Sequence, residues 1–241
     1  MLEAAFWGFV GGAALLIGAL AGVYLSASLR LIGLVMAFGS GVLISALTFE
    51  LMREAYDVAG STAAIAGLFA GSLVFFAGDW LIDRHGGHRR KSPRGPQAGA
   101  GATALVLGAL LDGIPESAAI GVSLIDGAGV SVAVVAAVFL SNVPEALSAS
   151  AGMRASGRST GYVLGLWSAV TAASTAAAAL GFGVLSGADP ALTGTIQAFA
   201  AGAILTMLVD TMVPEAVEHA GALVGLLTAL GFAAAFLLST A

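Results

Sequence analysis

The sequence predicts an all-α polytopic membrane protein with eight transmembrane helices, and three observations lead there. Apolar residues make up 59% of the 241 residues and charged residues only 10%, a balance foreign to water-soluble domains. Apolar stretches of about 20 residues, the length a helix needs to cross a hydrocarbon core about 30 Å thick, recur between clusters of turn and charged residues. The basic residues gather in a few of the connections between those stretches. Eight spans leave no room for a soluble domain, so residues 1–241 read as a single transmembrane domain. The net charge of -5 carries no sign of nucleic-acid binding. The absence of cysteine excludes a disulfide framework and a thiolate zinc site.

The first helix covers residues 4–25. It opens on Glu3, is longer than a signal-peptide core and lacks a clean cleavage site, so it reads as a mature span. The remaining helices are expected over 30–54, 62–82, 102–124, 128–152, 161–184, 191–214 and 219–239. One connection is long: residues 84–101 contain Arg84, His85, His88, Arg89, Arg90, Lys91, Pro93, Arg94 and Pro96, and are expected to be mobile and solvated. Connections after helices 1, 3, 5 and 7 share one side and carry Arg30, that basic run, Arg154 and Arg158, which is all of the nine Lys and Arg except Arg53. The positive-inside rule makes this side cytoplasmic and puts both termini outside.

A weak repeat supports the layout. Ala37-Phe38, Gly41, Glu54-Ala55 and Ala59-Gly60 recur as Ala198-Phe199, Gly202, Glu215-Ala216 and Ala220-Gly221, at a constant offset of 161 residues. Helices 2 and 7 run in opposite directions in this topology. Helices 1–3 and 6–8 would then be inverted copies around a central pair, helices 4 and 5, as in many transporters.

Both central helices carry a mid-span Pro-Glu pair, in Leu111-Asp112-Gly113-Ile114-Pro115-Glu116 and Leu140-Ser141-Asn142-Val143-Pro144-Glu145. A proline inside a helix frees the carbonyl four residues earlier, here Leu111 and Leu140, and in hydrocarbon such a group needs another partner. Asp112 and Glu116, like Ser141 and Glu145, are four apart and share a helix face, with Asn142 about one turn from Glu145. Two such faces turned together would make an oxygen-lined cage for a divalent cation. An ionisable group at mid-span costs at least about 2.5 kcal/mol, so three carboxylates on adjacent helices are expected to face inward. They repel one another, one is expected to hold a proton until a cation arrives, and metal entry would release it.

Other acids fall near the span ends. Glu50, Glu54 and Asp57 could draw cations to an outer entrance or form an ordinary solvated helix end with Arg53. On the cytoplasmic side Asp79, Asp83, Asp210, Glu215, Glu218 and His219 could line an exit. Asp210 stands out because it lies inside helix 7. His85 and His88 sit among cations that disfavour metal binding, and their segment reads better as a topology signal touching lipid headgroups. Trp7, Trp80 and Trp167 read as interface anchors or packing residues, and Gly8, Gly11 and Gly12 suggest close helix packing.

The paired Pro-Glu helices, eight spans with outer termini and a His-containing loop after helix 3 together resemble the ZIP (ZRT/IRT-like) metal transporters, whose motifs read His-Asn-x-Pro-Glu in helix 4 and His-x-x-Pro-Glu in helix 5. The resemblance implies a transport site for Zn²⁺ or a related divalent cation on helices 4 and 5, at Glu116 and Glu145, with flux toward the cytoplasm. Here Asp112 and Ser141 replace the two histidines, and Gly113 and Asn142 follow them. Oxygen ligands in place of imidazole shift the expected preference toward Mn²⁺, Fe²⁺ or a broader range that includes Cd²⁺. Some family members place a further carboxylate on helix 6; here that helix offers Trp167, Ser168, Thr171, Ser174 and Thr175, which points to a single main metal position. The expected ligands are Asp112, Glu116, Glu145, Asn142 and Ser141, with Glu50, Asp210 and Glu215 along the pathway. The metal is substrate and no organic cofactor is expected. The expected location is a bacterial or archaeal inner or plasma membrane, with lipid and metal ions as partners and room for a homodimer. Competing readings are a passive pore, a metal sensor that no longer transports, and an intramembrane hydrolase using two carboxylates; the last lacks a nucleophile with a base beside it.

Overall fold

The computed structural model describes residues 1–25, 28–87, 102–125 and 129–239, and among them regular structure is helical throughout. The α-helices are α1 (Leu2–Tyr24), α2 (Leu29–Ala46), α3 (Arg53–Ile82), α4 (Ala102–Val122), α5 (Val132–Ala155), α6 (Thr160–Leu185), α7 (Pro190–Met207), α8 (Val213–Ala220) and α9 (Val224–Ser239). Polar caps define several starts: Ser28, Ser131 and Ser159 accept from the backbone N–H three residues on, and Asp189 caps α7 ahead of Pro190, satisfying donors that a helix start leaves open. The basic residues from His88 to Arg94, and His88 itself as a candidate ligand, lie outside the described residues.

Six helical runs among the described residues are long and apolar enough to cross a membrane. Two of them, Leu29–His85 and Pro190–Ser239, contain 57 and 50 residues. At 1.5 Å per residue a straight helix of the first length would reach about 85 Å, far beyond a bilayer core. Each run is broken at a glycine in the left-handed region, Gly60 with φ 77° and Gly221 with φ 61°, a conformation that costs side-chain-bearing residues energy.

Packing along α7 shows what the first break does. Leu47 and Leu51 share a cavity wall with Ile204, and further along Ala55 and Ala59 lie against Gly194. Beyond Gly60 the order inverts: Gly67 lies against Thr195 and Ala198, and Ser72 Oγ donates to the Gly202 carbonyl at 3.1 Å. The chain therefore passes toward the N-terminus of α7 and then turns back. The expected break between 54 and 62 falls at Gly60, and that between 214 and 219 lies slightly later, at Gly221.

The 161-residue offset is carried into backbone geometry that apolar periodicity does not reveal. A π-helical segment, Leu47–Met52, joins α2 to α3, and another, Leu208–Met212, joins α7 to α8. Their starts are 161 residues apart, as are Gly60 and Gly221. Packing is reciprocal as well: α3 lies on α7 and α9 on α2, while α5 lies on α1 and α4 on α6. A methyl carbon on Gly202 would collide with the Leu68 carbonyl, and one on Gly41 with the Thr228 carbonyl. The helices meet there backbone to backbone.

Two apolar clusters result. One is built chiefly from α2, α5 and α7, the other from α1, α4, α5 and α6 around Trp167. Large apolar side chains such as Phe69, Leu73 and Phe76 of α3, and Leu226, Leu230 and Leu237 of α9, point outward, as expected of surfaces that face lipid.

Gly71→Ala and Gly202→Ala are expected to lower stability by about 1–3 kcal/mol, since the added carbon meets backbone that cannot rotate away. Gly165→Ala in α6, with nothing within 4 Å of the new carbon, is expected to be neutral or stabilising by up to about 1 kcal/mol. Thermal unfolding in detergent measures the contrast, and equal effects at the three sites would contradict this packing.

Candidate metal centre

Pro115 lies inside α4 and Pro144 inside α5. Around them Asp112, Glu116, Ser141, Asn142 and Glu145 are all buried, none more than 3% exposed. The expectation that the acids turn inward thus matches their positions, and the reason is the one given by hydrocarbon: it cannot solvate a carboxylate. Leu140, whose carbonyl Pro144 leaves without its helical donor, faces α2 at Gly39, where an added Cβ would lie 3.2 Å from that oxygen. A glycine at this point lets the α2 backbone approach the kink.

Three contacts describe how the five residues are held. Asp112 and Glu145 line a cavity of about 20 Å³ together with Leu105, Ala109, Ala149, Met153, Leu166 and Trp167. Glu116 Oε1 lies 3.3 Å from Ser141 Oγ, and that hydroxyl also lies 3.0 Å from the Val138 carbonyl. Asn142 donates through Nδ2 to the Gly11 carbonyl of α1 at 3.1 Å. One residue further along α1, the Gly12 carbonyl accepts from Thr171 Oγ1 of α6 at 2.9 Å. α1 therefore ties α5 to α6. Among the described residues no group of three or more His, Asp or Glu side chains stands close enough to hold a metal ion.

The peripheral candidates lie apart from the central acids, with Asp79 and Asp83 near enough to Asp210 to repel it. Glu50 sits in the first π-helical segment, where its Oε2 accepts from Ser131 Oγ, the α5 cap, at 2.7 Å. Arg53 and Asp57 approach to 3.9 Å with both side chains well exposed, an ion pair of at most about 1 kcal/mol. Asp210 occupies the second π-helical segment and is exposed. Glu215 pairs with His219 at 3.3 Å, and both side chains are enclosed. His85 bonds locally through Nδ1 to the Leu81 carbonyl at 2.7 Å. Trp80 is half-exposed beneath the Arg84 guanidinium, 3.6 Å from its ring centroid, as suits an interface anchor. Trp167 is instead a buried wall residue, its indole N–H donating to Ser150 Oγ at 2.8 Å.

Sequence reasoning missed Gly11 as the partner of Asn142 and Met153 as a neighbour of the acids. Backbone carbonyl partners leave no trace in residue type, but Met153 was accessible in principle, lying eight residues and two turns beyond Glu145 on the same face. A third Pro-Glu pair, Pro214-Glu215, repeats the Val-Pro-Glu-Ala string of residues 143–146. Its proline stands in the first turn of α8, where the missing N–H is least costly.

Described residues whose regular structure is helical throughout, with six span-length apolar runs and acids enclosed between the helices, have the makings of a polytopic membrane protein with a polar centre. No family model matches it. Over 191 residues, 78% of its length, the chain is 25% identical to a "Putative zinc transporter" of Arabidopsis thaliana, and it spans 30% of that protein.

Asn142→Ala is expected to destabilise the metal-free protein by about 1 kcal/mol, the typical net value of an internal hydrogen bond, because α5 loses its tie to α1. Thermal unfolding without metal measures it. Unchanged stability would contradict the tie.

Proposed function

We propose that this chain transports divalent metal cations across a membrane, with Asp112, Glu116 and Glu145 as the charged ligands and Ser141 and Asn142 as neutral neighbours. The observation that carries the reading is the burial of three carboxylates beside two prolines in adjacent helices. Such groups within a membrane mark ion pathways. The 25% identity to a plant protein named "Putative zinc transporter" points the same way, toward metal transport, and the resemblance of the two Pro-Glu helices to the ZIP motifs supplies the type.

The two longest runs, divided at Gly60 and Gly221, count as two crossings each, giving eight crossings with outer termini and the side of Arg154 and Arg158 in the cytoplasm. The repeats then stand inverted around α4 and α5. An ion arriving between Asp112 and Glu145 recruits Glu116 from Ser141, converting adjoining pairs into one ligand set. Oxygen ligands suit Zn²⁺, Mn²⁺, Fe²⁺ and Cd²⁺ without strong discrimination. Binding displaces a proton shared among the carboxylates, and release is to the cytoplasm. Glu50 lies on the outer approach, Asp210 and Glu215 on the cytoplasmic side.

Reconstituted into liposomes, the protein is expected to take up these ions, and Glu116→Gln and Glu145→Gln to lose most of that uptake while remaining folded by thermal unfolding. Unchanged uptake in both variants would falsify the site. Asp112→His combined with Ser141→His is expected to raise Zn²⁺ uptake relative to Mn²⁺; the same ratio as the parent would count against selection by ligand softness.

A further inference from the structure

The cavity beside Asp112 and Glu145 is walled by residues that follow one face of each central helix. On α4 it is lined by Asp112, Ala109 and Leu105, and on α5 by Glu145, Ala149 and Met153. Spacings of three and four residues stack each trio along its helix. α4 and α5 are consecutive and joined by a short connection, residues 123–131, so they run antiparallel. Leu105 and Met153 therefore both lie at the end remote from that connection, about two turns or 10–12 Å beyond the acids. Arg154 follows Met153 directly, so this end is the basic side.

The third wall is α6. Trp167 and Leu166 line the cavity, and the Trp167 indole is held by the buried Ser150 hydroxyl at 2.8 Å, which makes that wall rigid. The middle of the column is formed by Ala109 and Ala149. Any larger pair there would close the space. Its volume of about 20 Å³ accommodates one water-sized particle, a stripped cation but not a hydrated one. The Met153 thioether is a weak, polarisable acceptor of the kind soft and borderline cations accept, and Met153 is packed in the same cluster as Trp167.

We propose that this column between α4, α5 and α6 is the release passage for the ion, with Ala109 and Ala149 setting its bore and Met153 as the last contact before water on the basic side. The passage rests on the reading of Asp112 and Glu145 as ion ligands. It places the exit among α4, α5 and α6, away from Asp210 and Glu215.

The chain has no cysteine, so single cysteines report water access without background. Ala149→Cys and Met153→Cys are compared with Leu107→Cys, at the same depth on α4 but facing outward. Ag⁺, a thiol-reactive cation small enough for that bore once stripped of water, is applied from the side of Arg154 and Arg158. A thiol raised by one pKa unit in apolar surroundings is about tenfold less ionised, so Ala149→Cys and Met153→Cys are expected to react at least about tenfold faster than Leu107→Cys. Cd²⁺, which binds thiolate, is expected to slow both reactions. Ala149→Phe is expected to lose uptake while retaining Cd²⁺ binding.

Cysteines at 149 and 153 that react no faster than at 107 overturn the passage, whatever Ala149→Phe does. Loss of uptake in Glu145→Gln together with that result leaves the transport reading standing and removes only this route. Parental uptake in Glu145→Gln removes the reading on which the route rests.

Discussion

Hydrocarbon cannot solvate a carboxylate, and the placement of Asp112, Glu116 and Glu145 on two adjacent apolar helices makes the rest of the architecture answer to that fact. The acids must be enclosed by other helices, and those helices must approach closely enough to exclude lipid. Small residues make the approach geometrically feasible: α1 reaches α5 through Gly18 and Gly22, and α3 reaches α7 through Gly71. Polar ties then orient the enclosed helices, with α1 supplying the Gly11 and Gly12 carbonyls to Asn142 and Thr171. Burial of the acids, glycine-rich packing and the dependence on α1 are thus consequences of one constraint.

The internal repeat adds a second level of order. Two π-helical segments and two left-handed glycines recur at one offset, and the partners of each copy mirror those of the other. Chance similarity in an Ala- and Gly-rich sequence would not place rare backbone features at matching positions. π-helical turns are uncommon and concentrate at functional positions. Of the three among the described residues, the two related by the repeat contain Glu50 and Asp210, and the third, Asp83–Gly87, follows α3 outside the repeat. The central pair is less symmetric, because α4 supplies two carboxylates and α5 one.

Much of this was legible in the residues. Runs of apolar side chains marked the helices, since their length is dictated by the bilayer, and the Pro-Glu strings marked the buried centre, since nothing else explains charge at that depth. The turn at Gly60 was placed to within a few residues because a glycine beside a charged stretch is a strong punctuation mark. The partners of the polar residues were not legible. Glu116 meets Ser141 while Asp112 shares a cavity with Glu145, pairings that helix-face spacing does not distinguish. Spacing says which residues share a face of one helix; it does not say how two kinked helices are rotated against each other. Trp167 shows the same limit, because a tryptophan that could anchor at an interface or pack in a core is assigned only when its neighbours are known.

The central claim is that a divalent cation binds between α4 and α5, against the carboxylates of Asp112 and Glu145. Anomalous scattering from crystals of the protein grown with Cd²⁺ tests it most directly. The account predicts one strong peak between these helices, within coordination distance of Asp112 and Glu145 oxygens and with Glu116 drawn away from Ser141. A peak confined to the acids at the ends of the helices, such as Asp79 and Asp210, with the central carboxylates unoccupied, would contradict it.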